Sequence, residues 1–309
     1  MPDLITLTRA QGANQALISR EVEPVGWRLE FADEPVLVKG FRKMVRDHQY
    51  DVAELAVTTY LTAKEHGARF TALPLFIVRD FHHGKTQVLR DGAVTRASDL
   101  AGKRVGVNRG YTVTAGVWAR AALADAGLDL SSVTWVLSGD EHVASYVPPA
   151  NVVSAPEGRT LEELLLAGEL DAVVNADIRH DAVTTLLPED AARQSLLATG
   201  YIPVNHLVVV RDELVEAHPG LATAIFEAFA EAKRRYLDTL RAGARDKAQD
   251  RTLATAMAAL DGSDPLPYGV EPNRAVLEKL MAHAVDQGIL TRPTALEDVF
   301  VPETLDLVG

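Results

Sequence analysis

The stretch LPLFIVRDFHHGKTQVLRDG ends an apolar run on Arg79, Asp80, Phe81, His82 and His83, before a second strand-like run begins at Thr86. Arg79 offers a planar fork suited to a carboxylate. His83 can exchange a proton near neutral pH, and His82 sets a second imidazole in the same turn. Between two buried strands such a turn is either a solvated crossover with ordinary polar residues, as loops commonly are, or one wall of a ligand site.

Glu54, in DVAELAV, sits among apolar neighbours where an unpaired carboxylate is costly. It belongs near a strand's carboxyl end, the usual place for ligand groups in open α/β sheets, or it pairs with Arg42 or Arg46 on the preceding helix. Thr58 and Thr59 open one helix, and Tyr111, Thr112 and Thr114 open another. Free N–H groups at helix starts make both places candidate carboxylate seats, although threonine also caps helices with no ligand present. His206, in GYIPVNHLVVV, lies beside an apolar run at a predicted crossover, where a histidine is either structural or faces a cleft.

Other polar residues are assigned plainer roles. Trp118 falls on an apolar helical stripe and is expected in the core, with Arg120 in a surface or interlobe ion pair. Asp177, His180 and Asp181 follow a strand end, but their spacing matches no familiar metal motif. No Gly-rich phosphate loop, nucleophile elbow or His-Glu-x-x-His motif is present.

The elements that must hold these residues alternate between strand and helix, the pattern of an α/β protein with mainly parallel sheets. LITLTRA, VGWRLEFA, YDVAELAV and FTALPLFIV read as strands, with helices at GFRKMVRDHQ and TTYLTAKEHG. A second α/β unit follows: KRVGV, a polar turn at Asn108 to Thr112, a helix to Gly127, SSVTWVLSG, and a helix opened by Thr160 and Glu163 as a capping box that feeds DAVVNA. GYIPVNHLVVVRDEL alternates like a strand, and the remainder is largely helical. The expected organisation is therefore one lobe from residues 1–84 and 202–309, a second from 85–201, and a ligand cleft between them.

Composition bounds the partners. A formal net charge of -12 argues against a nucleic-acid groove, and the absence of cysteine removes disulfides, Cys-ligated zinc and thiol nucleophiles. MPDLITLTRA lacks the basic and apolar regions of a signal peptide, and no apolar run approaches the roughly 18 residues of a membrane span. The expectation is a cytoplasmic protein with no membrane or nucleic-acid partner; a homo-oligomer is left open.

Five stretches, FRKMVRDHQYDVAELAVTTYL, FTALPLFIVRDFHH, DLAGKRVGVNRGYTVTAGVWARAAL, GYIPVNHLVVVRDEL and LPYGVEPNRAVLEKLMAHAVDQG, together resemble the 4,5-dihydroxyphthalate decarboxylase family in content and order. The resemblance spans nearly the whole chain. It is narrowest at Arg-x-Phe-x-His (Arg79, Phe81, His83) and at the YG-x-x-x-NR motif from Tyr268 to Arg274. Where members commonly carry an arginine just before that histidine, this chain has His82.

The resemblance implies the two-lobed fold of type II periplasmic binding proteins. It further implies cofactor-independent decarboxylation of a hydroxylated aromatic carboxylate in phthalate breakdown, most directly 4,5-dihydroxyphthalate to 3,4-dihydroxybenzoate. On that reading His83 is the acid at the ring carbon, His206 or Glu54 partners the phenol, and Arg79 holds a carboxylate. His82, Thr58, Thr59, Tyr111, Thr112 and Thr114 complete the substrate seat. Two alternatives stand beside it: a non-catalytic binding protein for a small aromatic carboxylate, and a related decarboxylase of another acid, with His82 marking the change.

Overall fold

The computed structural model describes all residues from 1 to 309. Eleven strands follow one another along the chain: β1 (Asp3–Leu7), β2 (Arg28–Phe31), β3 (Val52–Ala56), β4 (Phe70–Arg79), β5 (Thr86–Leu89), β6 (Arg104–Val107), β7 (Thr134–Leu137), β8 (Val152–Ser154), β9 (Ala172–Val174), β10 (Val183–Thr185) and β11 (Val204–Arg211). They form a five-stranded sheet in the order β2-β1-β3-β11-β4 and a six-stranded sheet in the order β10-β5-β9-β6-β7-β8. Each sheet lies at the heart of one lobe.

Both sheets are mixed, where the alternating pattern predicts mainly parallel pairing. β1 pairs in parallel with β2 and β3, but β11 runs antiparallel to β3 and β4; β5 likewise runs against β9 and β10. The reason is the chain's route. β5 is the first strand laid down after the passage from the first sheet to the second, and β11 is the first after the return. Each enters its new sheet against its neighbours. β8 and β10, three residues each, are too short to show a period and extend the second sheet beyond the strands read from the sequence.

Central β3 is buried along its whole length, which explains its near-continuous apolar run. The helix Leu37–Asp47 covers the first sheet with Phe41 and Met44, at the spacing of one helical face. The predicted capping box is present: Thr160 Oγ1 accepts from Glu163 N at 3.2 Å, and Glu163 accepts from Thr160 N at 2.8 Å.

The largest apolar core, 50 buried residues, is continuous between the lobes. It runs from Leu7 and Phe41 through Trp118 and Trp135 to Leu277 and Leu280. Through it the late helix Arg274–Asp286 packs on the helix Thr114–Asp125 of the second lobe. No helix is long and apolar enough to cross a membrane.

Candidate active site

The carboxyl ends of β1, β4, β6 and β9 and the amino end of β11 open on one cleft of about 670 Å³ between the lobes. Ligand sites of open α/β sheets lie outside strand carboxyl ends, and this volume is within the usual range for a small-molecule pocket.

At its foot, Oε1 of Glu54 lies 2.6 Å from Nδ1 of His206. Sheet register makes this pair. Glu54 stands opposite Val208 and His206 opposite Ala56, so the two side chains are diagonal neighbours on one face of the β3–β11 ladder. Register shifts on both sides of His206, against β4, re-aim the strand here. The Glu54 side chain is fully buried and its second oxygen accepts from Thr8 Oγ1 at 2.9 Å and Arg9 N at 3.1 Å. Burial pushes its carboxyl up, but the bond to His206 and the charges of His206 and Arg9 outweigh this and hold it below the ordinary value. A carboxylate that accepts at Nδ1 fixes hydrogen there and leaves Nε2 of His206, which lines the cleft, free to take or give a proton.

His82 also lines the cleft but is buried, with 4% exposure. Nε2 lies 3.0 Å from Asn205 Oδ1, so the hydrogen sits on Nε2 and the lone pair on Nδ1, which has no partner. Burial lowers its pKa against the opposing pull of Asp80 and Asn205, which favours the neutral ring.

Several residues expected at the site do other work. Arg79 reaches the cleft wall, but Nη1 donates to Ile202 O at 3.1 Å and Nη2 donates to both Pro267 O at 2.8 Å and Asn273 Oδ1 at 2.5 Å. Both two-point edges of a guanidinium pass through Nη2, so neither is left for a carboxylate. Burial lowers Arg79 to about 10, which still leaves it charged at neutral pH. The two narrow motifs thus meet each other: Arg79 holds Asn273, whose amide donates to Pro267 O and Gly269 O. Gly269 itself, at φ +106 with Leu307 O 2.5 Å from where a Cβ would stand, admits no side chain.

His83 is not among the residues that line the cleft. It lines a separate crevice of about 30 Å³ with Asp125, Tyr201, Lys279 and His283, far smaller than the roughly 150 Å³ that holds a benzene ring.

The two helix starts are occupied by the protein's own groups. Thr58 N donates to Thr114 Oγ1 at 2.9 Å and Thr58 Oγ1 donates to Thr112 O at 2.6 Å, so the helices Val57–Glu65 and Thr114–Asp125 meet start to start. Thr59 is fully buried. The carboxylate seated at Tyr111 N and at Thr112 N and Oγ1 is that of Glu141. Gly110 lets it approach, since a Cβ there would lie 2.7 Å from the Glu141 carboxylate. Arg120 is wholly buried, not in an ion pair: Nε donates to Gln287 Oε1 and Nη2 to Tyr111 O, both at 2.7 Å. Trp118 is core, as expected, with Nε1 donating to Val204 O at 2.8 Å. Asp177 lines the cleft, whereas His180 Nδ1 accepts from Ala182 N, and no group of three acidic or imidazole side chains is placed to hold a metal ion.

The cleft also holds residues that the sequence reading missed, chiefly Arg9, Lys85, Arg109, Asn175 and Asn205. Arg9 follows β1 and Arg109 follows β6, so the rule of strand carboxyl ends, applied to every strand, finds both.

No family model matches the sequence. A curated 4,5-dihydroxyphthalate decarboxylase of Comamonas testosteroni is 30% identical over 287 residues, 86% of each chain. This chain belongs to the 4,5-dihydroxyphthalate decarboxylase family. A second 4,5-dihydroxyphthalate decarboxylase, of Pseudomonas putida, is 38% identical over 143 residues, 43% of this chain and 55% of that one. The family's members are carboxy-lyases.

Among solved structures, the desulfurization enzyme DszB superposes with a TM-score of 0.58 at 17% identity, over 99% of this chain and 98% of its own. The periplasmic aliphatic sulphonate binding protein SsuA of Escherichia coli gives 0.54 at 14% identity, over 97% and 92%. The fold of this chain is therefore the two-lobed α/β architecture of periplasmic binding proteins.

Proposed function

We propose that the chain decarboxylates 4,5-dihydroxyphthalate to 3,4-dihydroxybenzoate without a cofactor, with His206 as the acid at the ring carbon. The observation that carries this is the buried Glu54–His206 pair at the foot of an interlobe cleft of ligand size.

Each carboxylate of that substrate is para to a hydroxyl. Loss of the phenolic proton sends electron density to the para carbon, which takes a proton from the His206 imidazolium and becomes tetrahedral. The bond to the carboxylate then breaks, its electron pair returns to the ring, carbon dioxide leaves, and the phenolate regains a proton. The overall change is one proton taken up and one carbon dioxide released. Glu54, held anionic, stabilises the imidazolium that must deliver the proton. His82, neutral and part of the cleft wall, is assigned to the phenol side of the ring. The lobes, 1–84 with 202–309 and 85–201, enclose the ring and exclude water.

The test is turnover of a panel of hydroxybenzoates and phthalates by chelator-treated protein, followed by carbon dioxide release and ring absorbance. In deuterium oxide the product is expected to carry deuterium at the carbon that lost its carboxylate. Tight binding of one of these acids with no turnover of any overturns the reading in favour of a solute-binding protein.

A further inference from the structure

The charges that line the cleft can be paired off. Lys85 meets Asp80 at 3.5 Å, Asp177 meets Arg179 at 3.7 Å, and the Arg79 fork is committed to carbonyl and amide oxygens. Two arginines remain. Arg9, from the first lobe, is half-exposed and touches only Glu54, at 3.7 Å, whose oxygens already have nearer partners. Arg109, from the second lobe, has no hydrogen bond or ion pair from its guanidinium.

The Arg109 backbone is unusual as well. Its φ of +73 lies in the left-handed region, which arginine rarely occupies. Ser138 Oγ holds its N–H at 2.8 Å. Of six non-glycine residues with positive φ, three (Arg109, Asn175 and Asp177) line this cleft. Strain concentrated at a site is what a positioned ligand group costs. Arg9 is close enough for its charge, after burial, to push the Arg109 pKa down. In a chain of net charge -12, a cation with no protein partner beside one whose only carboxylate already has nearer partners draws an anion to the cleft.

We propose that Arg9 and Arg109, one from each lobe, clamp the carboxylate that the aromatic substrate keeps. The choice of carboxylate follows from the chemistry. The departing group becomes neutral carbon dioxide, so an ion pair to it would stabilise the ground state more than the transition state and slow the reaction. An ion pair to the retained group holds the ring equally in both. The clamp thus makes the site selective for an ortho-dicarboxylate over a monocarboxylate. The proposal rests on the decarboxylase reading for the identity of the ring, but the clamp itself can be tested without turnover.

The experiment uses Arg9→Gln and Arg109→Asn, asparagine being chosen because it tolerates a left-handed backbone. Titration calorimetry with phthalate, which lacks the para hydroxyls and is not turned over, is set beside steady-state kinetics with 4,5-dihydroxyphthalate. Each substitution is expected to weaken phthalate on the order of 10-fold or more and to raise KM by a similar factor; kcat should stay nearly unchanged in Arg109→Asn, whereas Arg9→Gln also removes a charge from beside Glu54 and should lower kcat as well. Arg9→Lys and Arg109→Lys should recover part of the loss; Arg109→Asn should melt like wild type because that guanidinium has no protein partner, whereas Arg9→Gln gives up its contact with buried Glu54. Unchanged phthalate affinity in both variants, or a loss confined to kcat, overturns the clamp while leaving decarboxylation standing. Arginine-dependent phthalate binding by a wild-type protein that decarboxylates nothing upholds the clamp and removes the decarboxylase reading.

Discussion

Glu54 and His206 are 152 residues apart in the chain and 2.6 Å apart in the fold, joined as diagonal neighbours between antiparallel strands. Their pairing couples a buried charge to a group that reaches the cleft. It has consequences for both rate and stability.

For rate, His206→Asn should fold and bind phthalate yet lose on the order of 100-fold or more in kcat, the scale of a removed general acid. Glu54→Gln should lose less, because the imidazole remains but its charged form is no longer stabilised. Equal kcat in wild type and His206→Asn, measured under saturating substrate, would place the acid elsewhere.

For stability, the sign follows from the lowered pKa of Glu54. A carboxyl held below its unfolded value contributes stability that is complete above about pH 4.3 and is lost as pH falls through the lower folded value. Melting temperature should therefore fall more steeply on acidification in wild type than in Glu54→Gln. Parallel acid limbs for the two proteins would mean that the buried carboxylate carries none of the linkage.

Arg79→Ala is expected to destabilise by about 2 to 4 kcal/mol in urea unfolding, since three acceptors lose a charged donor. Arg79→Lys should restore little, because an ammonium cannot span Ile202, Pro267 and Asn273 in one plane. An alanine variant as stable as wild type but unable to bind phthalate would return Arg79 to the clamp role.

His83→Asn should leave turnover within about threefold of wild type, the side chain lying in the small crevice with Lys279 and His283 and not in the cleft. A loss of 100-fold with normal folding would show that the crevice opens onto the reacting ring.

Much of this was legible in the sequence, and what was not has definite causes. Strands β1, β3, β6 and β11 carry apolar runs of ordinary length, and Glu54 and His206 stand out because each is polar inside such a run. Arg79 stands out at the end of such a run, but its partners Ile202, Pro267 and Asn273 are brought up by tertiary packing, and no local pattern announces that a fork is already filled. The segments at Thr58 and Tyr111 offer the N–H and hydroxyl groups of a carboxylate seat, but the chain's own groups take them, Thr112 and Thr114 at the first and Glu141 at the second. That Glu141 fills one of them depends on a contact 30 residues away and on Gly110 lacking a Cβ. Arg9 and Arg109 lie in loops just past β1 and β6, where the rule of strand carboxyl ends marks them, but only the convergence of two sheets shows that both line one cleft.

Glu141 allows the last of these points to be measured. Its carboxylate accepts from Tyr111 N and from Thr112 N and Oγ1, the last at 2.7 Å, in the turn just before the helix Thr114–Asp125 and its cap Val113. Glu141→Ala strips those donors of their acceptor and removes a negative charge from the positive end of a helix, for an expected cost of about 1 to 2 kcal/mol. Glu141→Gln should recover only part, because its amide offers one acceptor oxygen in place of two. If the seat is purely internal, adding phthalate should stabilise Glu141→Ala and wild type by equal increments of melting temperature. A larger increment in the alanine variant would mean that the vacated helix start takes a carboxylate from solution, and the seat would then be a second anion site normally closed by the chain itself.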